Sequence, residues 1–145
     1  MKNTVRVKRI ESRKQLAKAY RIRARVFVNE QGVPKEIELD QDDKRAVHFL
    51  AIATGKAVGT ARVVLRHGNA KIGRMAVLKS FRRRGIGTKL LKRAVAFAKR
   101  HRAGQIYLHA QVQAISFYEA MGFRCVGRVF NEAGIPHRKM LFANR

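Results

Sequence analysis

The sequence predicts an α+β domain with a mixed central β-sheet flanked by helices. Three observations lead there. Short alternating apolar and polar runs recur along the chain. Two further stretches carry apolar residues at helical spacing. Glycine-containing turns separate these segments. The order is strand, helix, long loop, three strands, helix, strand, helix and two closing strands.

Residues 4–10 alternate Val5 and Val7 with basic residues and read as a strand. Ser12, with Gln15 three positions on, has capping-box spacing. Leu16, Tyr20, Arg23 and Phe27 then predict a helix over residues 13–28. Residues 29–45 hold Gly32, Pro34 and an acidic cluster, and read as a long loop with one helical turn. Strands are expected over 47–54 and 56–65, joined at Gly55, and over 70–78 after the turn His67-Gly68-Asn69. Gly73 inside the third strand points to a bulge. Residues 85–101 put Ile86, Leu90, Ala94, Phe97 and Ala98 on one face, a long amphipathic helix ended by Gly104. A strand over 105–110, a helix over 113–121 capped by Gly122, and strands over 124–130 and 137–142 around a turn at 131–136 complete the chain.

With 145 residues, no linker and no internal repeat, a single domain over 1–145 is expected. The first ten residues contain no continuous apolar run, which argues against a signal peptide or membrane span. One cysteine, Cys125, excludes an internal disulfide and suits a cytoplasmic setting. Lysine and arginine total 33 against 9 acidic residues, a net charge of +24. Such a field attracts polyanions, so nonspecific binding of them at low salt is expected. The basic residues are spread along the chain, which rules out a dedicated basic arm.

The sharpest local signal is Arg82-Arg83-Arg84-Gly85-Ile86-Gly87 at the mouth of the long helix. A helix start offers free N–H groups and partial positive charge. Glycines let the backbone close on phosphate oxygens, and the arginines add charge-assisted hydrogen bonds. The segment therefore predicts a pyrophosphate site. It is not a dinucleotide-binding G-x-G-x-x-G, and no P-loop G-K-[ST] follows.

These residues resemble the GNAT superfamily of acetyl-CoA-dependent N-acetyltransferases. Its Arg/Gln-x-x-Gly-x-Gly/Ala signature is met by Arg82, Gly85 and Gly87, after a strand that reads Gly73-Arg74-Met75-Ala76-Val77. Its N-x-x-A-x-x-F-Y-x-x-x-G-F segment is matched from Gln111 through Ala114, Phe117, Tyr118 and Gly122 to Phe123, with Gln111 in place of Asn. The resemblance implies a splay between the strand of Met75 and Val77 and the strand over 105–110, where the pantetheine arm of coenzyme A enters. It implies donor-binding contacts from Met75, Ala76, Val77, Arg82, Arg83, Arg84, Gly85, Ile86, Gly87, Thr88, Gln111, Ser116, Phe117 and Tyr118. It further implies a backbone N–H at Met75 or Ala76 as oxyanion contact and Tyr118 as general acid. Acetyl-CoA is the expected co-substrate, with no metal. Residues 25–34 and 131–137 resemble a GNAT subgroup described only as predicted acyltransferases.

An amine attacks only when neutral, so a base is needed near the acceptor. His109, Glu30 and His48 are the leading candidates. Arg21, Arg23 and Arg25 are candidates to meet an anionic group on the acceptor. The expected activity is acetyl transfer to a primary amine of an unidentified acceptor, by a monomer or homodimer, without membrane association. The alternatives are a basic nucleic-acid-binding protein and a non-catalytic acyl-CoA-binding regulator. No zinc-ligand set, RNP-type aromatic strand or helix-turn-helix pattern favours the first of these.

Overall fold

A computed structural model describes residues 4–143. The chain runs through β1 (Val5–Arg9), α1 (Arg13–Arg23), a π-helical segment (Ala24–Glu30), α2 (Lys35–Glu38) and a 3-10 turn (Gln41–Lys44). It continues through β2 (Val47–Ala53), β3 (Lys56–Arg66), β4 (Asn69–Val77), α3 (Ile86–Arg100) and β5 (Ile106–Gln111). A 3-10 turn (Val112–Ala114), α4 (Ile115–Ala120), β6 (Phe123–Glu132) and β7 (Ile135–Phe142) complete it. The strands form one seven-stranded sheet in the order β1-β2-β3-β4-β5-β7-β6. Only β4 and β5 pair in parallel, because only α3 supplies the long crossover that a parallel pair requires. Among the described residues, no helix is long and apolar enough to cross a membrane.

Helices cover both faces. On one face, Ile86, Leu90, Leu91, Ala94 and Phe97 of α3 bury against Phe49, Ala61, Ile72 and Leu108 of the sheet. The approach is close: a Cβ at Gly59 would meet Leu90 Cδ1 at 3.0 Å and Ile86 Cγ2 at 3.2 Å. On the other face, Ala19, Ile22 and Val26 pack on Leu50, Ala76 and Leu78. The Ser12 side chain caps α1 by accepting from Gln15 N–H at 3.2 Å, and the Gln15 side chain accepts from Glu11 N–H at 2.8 Å.

Three boundaries differ from the sequence expectation. The helix predicted over 13–28 is α-helical only to Arg23 and then widens, with Gln31 N–H donating five residues back to Val26 O. The widening brings two successive side chains, Val26 and Phe27, to the same cleft. Gly104 does not terminate α3. Arg102 takes the left-handed position after the helix (φ 56°), while Gly104 N–H donates to Gly68 O at 2.7 Å and a Cβ there would sit 3.1 Å from Asn69 Oδ1. Glycine serves close approach there. Finally, the closing strands extend to Glu132 and Ile135, leaving only Ala133-Gly134 as the turn.

The acidic loop folds around a buried ion cluster. Arg23 is 1% exposed. Its Nε donates to Glu38 Oε2 at 2.8 Å and its Nη1 to Asp43 Oδ1 at 2.7 Å. Arg62 donates to both Asp40 oxygens at 2.7 and 2.9 Å and to Asp43 Oδ1 at 2.9 Å. Arg23, expected as a candidate to meet an anionic acceptor group, is thus fully engaged inside the protein. Burial alone would raise the Asp43 carboxyl, but hydrogen bonds from Arg23, the Asp40 N–H and Arg62 hold it well below the usual carboxylate range.

Two outcomes are expected. Arg23→Met removes the guanidinium that Glu38 and Asp43 share, leaving them only Arg74 and Arg62, and should cost about 3 kcal/mol, read from urea unfolding. Asp43 binds fewer protons folded than unfolded, so its contribution is present above about pH 4 and falls away as pH drops. Asp43→Asn should therefore flatten the acid limb of unfolding midpoint against pH.

Candidate active site

The site begins where β4 and β5 part. They pair only at Ala70–Ile106, Lys71–Tyr107 and Ile72–Leu108. Beyond that point β4 stays on β3 as far as Val77, and β5 stays on β7 as far as Gln111. A bulge helps turn β4 away. Gly73 pairs with Arg62 and Ala76 with Thr60, so the register slips across Arg74 and Met75. Arg74 takes the left-handed conformation there, φ 49°. The strands enclose a cleft of about 670 Å³, within the range of small-molecule sites. Met75, Ala76, Val77, His109, Gln111 and Tyr118 all line it.

At one end lies the start of α3. Gly85 is its N-cap in the left-handed conformation, φ 78°, and no side chain caps it, so its first N–H groups have no side-chain acceptor. Arg83 is also left-handed, φ 65°. Ile86 is buried, so only its backbone faces the turn. Phe117 packs over the first helical turn, with its Cζ 3.5 Å from where a Gly87 Cβ would lie. Thr88 is half-buried in that turn and Ser116 is exposed on α4.

The three arginines differ. Arg82 Nε donates to Val77 O at 2.8 Å, and its other nitrogens clamp Glu30 at 2.9 and 3.0 Å. Arg84 lies over the Phe81 ring at 5.2 Å. Arg83 has no ion-pair partner among the described residues. Arg82 is therefore a strut between this turn and the π-helical segment as well as a candidate phosphate ligand. Gln111 is also engaged: its Nε2 donates to Gln31 Oε1 at 2.8 Å, and its Oε1 accepts from Gln113 at 2.8 Å.

Tyr118 stands over the gap, its hydroxyl 3.8 Å from Met75 Sδ. Burial pushes the phenol up to about 12. His109 lies on the cleft wall. Its Nδ1 is 2.8 Å from Glu132 Oε1, and Phe130 packs edge-on against the ring at 4.9 Å. The hydrogen bond from His109, aided by Lys71, draws the Glu132 carboxyl down to about 2 against burial. With Nδ1–H donating to Glu132, Nε2 is left as an acceptor.

The three candidate bases thus occupy different settings. His109 lines the cleft. Glu30 is taken by Arg82. His48 is buried outside the cleft lining, its Nε2 3.0 Å from Asp43 O, and burial pulls its pKa down. Glu132 has no role in the sequence reading. It follows His109 by 23 residues at the far end of β6, after α4 has intervened, and no local pattern joins the two.

A parted parallel pair beside an uncapped glycine-led helix is the architecture of an acyl-CoA N-acyltransferase. The family model for the GNAT acetyltransferase domain matches residues 9–143, so the chain belongs to the GNAT family. It is 36% identical over 132 residues to the uncharacterized N-acetyltransferase YjcF of Bacillus subtilis (strain 168), covering 90% of this chain and 94% of that one. An acyl-CoA N-acyltransferase from Pseudomonas aeruginosa superposes with a TM-score of 0.84 at 31% identity, over 98% of this chain and 100% of the other. A GNAT acetyltransferase from Elizabethkingia anophelis, solved with acetyl-CoA bound, shares the fold at a TM-score of 0.74 and 19% identity, over 97% and 96% of the two chains.

Gly85→Val forces a β-branched residue into the left-handed region at a cost of roughly 1–2 kcal/mol. The free protein should therefore melt a few degrees lower, and the additional thermal stabilisation given by coenzyme A, measured against that lowered baseline, should also shrink.

Proposed function

We propose that the protein transfers an acetyl group from acetyl-CoA to a primary amine by direct attack on the thioester. The observation that carries this reading is the β4–β5 gap, with an anion-attracting turn at one end and a carboxylate-held histidine on its wall. The backbone of Gly85 to Thr88, with Arg83 and Arg84, receives the pyrophosphate. The pantetheine arm lies along Met75 to Val77, between Gln111 and the Phe117-Tyr118 pair.

The neutral amine attacks the thioester carbonyl and a C–N bond forms. An N–H at Met75 or Ala76 holds the oxyanion. His109 Nε2 takes the amine proton, and Glu132 steadies the resulting imidazolium. The C–S bond then breaks and coenzyme A leaves. With its phenol pushed up to about 12, Tyr118 stays protonated throughout the neutral range. The thiolate leaves in the same desolvated gap and is made more basic by the same burial, so Tyr118 acts as the general acid that donates to the departing sulfur, and the proton lost by the amine restores the phenol. The remaining basic surface draws polyanions at low salt.

The test is turnover of acetyl-CoA with a panel of amines, following thiol release and N-acetyl product by mass. His109→Ala is expected to lower kcat/KM by about 10²–10⁴. Tyr118→Phe should lower kcat while leaving the KM for acetyl-CoA nearly unchanged. Donor binding without any amide product across the panel would favour a non-catalytic acyl-CoA-binding protein.

A further inference from the structure

We infer that Lys71 is the docking point for a carboxylate on the acceptor, so that the acceptor is an amine that also carries a carboxylate. This rests on the acyl-transfer reading for the identity of the reacting group, and on the charge pairing of the cleft for the rest.

Four cationic side chains line the cleft: Arg62, Lys71, Arg74 and Arg82. Three are neutralised. Arg62 holds Asp40 and Asp43 at 2.7 and 2.9 Å. Arg74 meets Asp40 at 3.1 Å and Glu38 at 3.4 Å. Arg82 clamps Glu30 at 2.9 Å. Lys71 alone has no carboxylate within 4.0 Å among the described residues.

The carboxylates of the cleft show the opposite. Glu38, Asp40, Asp42 and Glu132 line it, four of the chain's nine acidic residues. Glu38, Asp40 and Asp42 are paired with Arg23, Arg62 and Arg66, and Glu132 is hydrogen-bonded to His109. A second cationic group on an acceptor would find no carboxylate without a partner. An anionic group finds a half-buried ammonium without a counter-ion.

The placement suits one small molecule. Lys71 is in register with Tyr107 on β5, and His109 follows two residues on, on the same strand face. That step spans about 6.6 Å, which a lysine side chain bridges. Between them on β4 stands Gly73, which has no side chain to block the path. Burial, together with Arg62 and Arg74, disfavours the charged form of Lys71 against the distant pull of Glu132. A bound carboxylate supplies the missing partner. A single ammonium matches one unit of negative charge, whereas a phosphate dianion calls for several donors.

The experiment uses the full chain saturated with coenzyme A, titrated with matched pairs: phenylalanine against phenethylamine, leucine against 3-methylbutylamine, alanine against ethylamine. Binding is followed by ligand-observed NMR, and acetyl-CoA turnover is measured in parallel. At least one amino acid is expected to bind at least tenfold more tightly than its partner. Lys71→Gln should erase the difference and Lys71→Arg should keep it. The inference is overturned if no amino acid binds, if the decarboxylated partners bind as well, or if the preference survives in Lys71→Gln. The two readings fail separately. Lys71-dependent amino-acid binding without N-acetyl product sinks the acyl-transfer reading alone, and acetylation that favours the carboxylate-free amines sinks only this inference.

Discussion

Three parallel rungs hold the two halves of the sheet together. Ala70, Lys71 and Ile72 meet Ile106, Tyr107 and Leu108, and no further pairing joins β4 to β5. The α3 crossover makes the rungs possible and also covers them, through Ile72 and Leu108, on its own face. Beyond them the Arg74-Met75 bulge commits β4 to β3 while β7 claims β5. Cleft, helix start and histidine wall all take their positions from that parting. A fourth and fifth rung would close the site while adding hydrogen bonds, so the fold gives up sheet pairing to make room for a ligand.

The gap needs walls that do not collapse, and the residues after α1 supply one. The π-helical segment ends at Glu30 and Gln31, which reach Arg82 beside α3 and Gln111 at the end of β5. One corner of the chain therefore braces both sides of the opening. Beneath it, Arg23 and Arg62 tie the acidic loop to the sheet through Glu38, Asp40 and Asp43. Buried ion pairs of this kind add less net stability than apolar packing would, but they tolerate few alternative arrangements. Their effect here is to fix where the loop sits against the cleft, which Glu38 and Asp40 line.

Much of this was legible in the chain because its causes are local. Alternation located the strands. The face of Ile86, Leu90, Ala94 and Phe97 located α3, and Gly85 with Gly87 located its open start. The bulge near Gly73 was legible from a glycine inside a strand. What escaped depends on partners distant in sequence. Arg23 reads as a basic face residue until Glu38 and Asp43 fold over it. His109, Glu30 and His48 are equivalent as titratable residues, and only the fold separates them. Lys71 is one of 33 basic residues, and its distinction is a missing neighbour, which no pattern encodes.

The charge of +24 is not shared by the interior of the site, where four acidic and four basic side chains face one another. Long-range attraction and short-range chemistry are thereby assigned to different parts of the molecule. On the proposed acyl transfer, a phosphate-bearing donor would be drawn by the net positive field, an effect that salt screens over about 8–10 Å. Inside the cleft it would meet fixed charges that largely cancel one another. Ionic strength should then govern how often the donor arrives and have little influence on how fast the bond is exchanged.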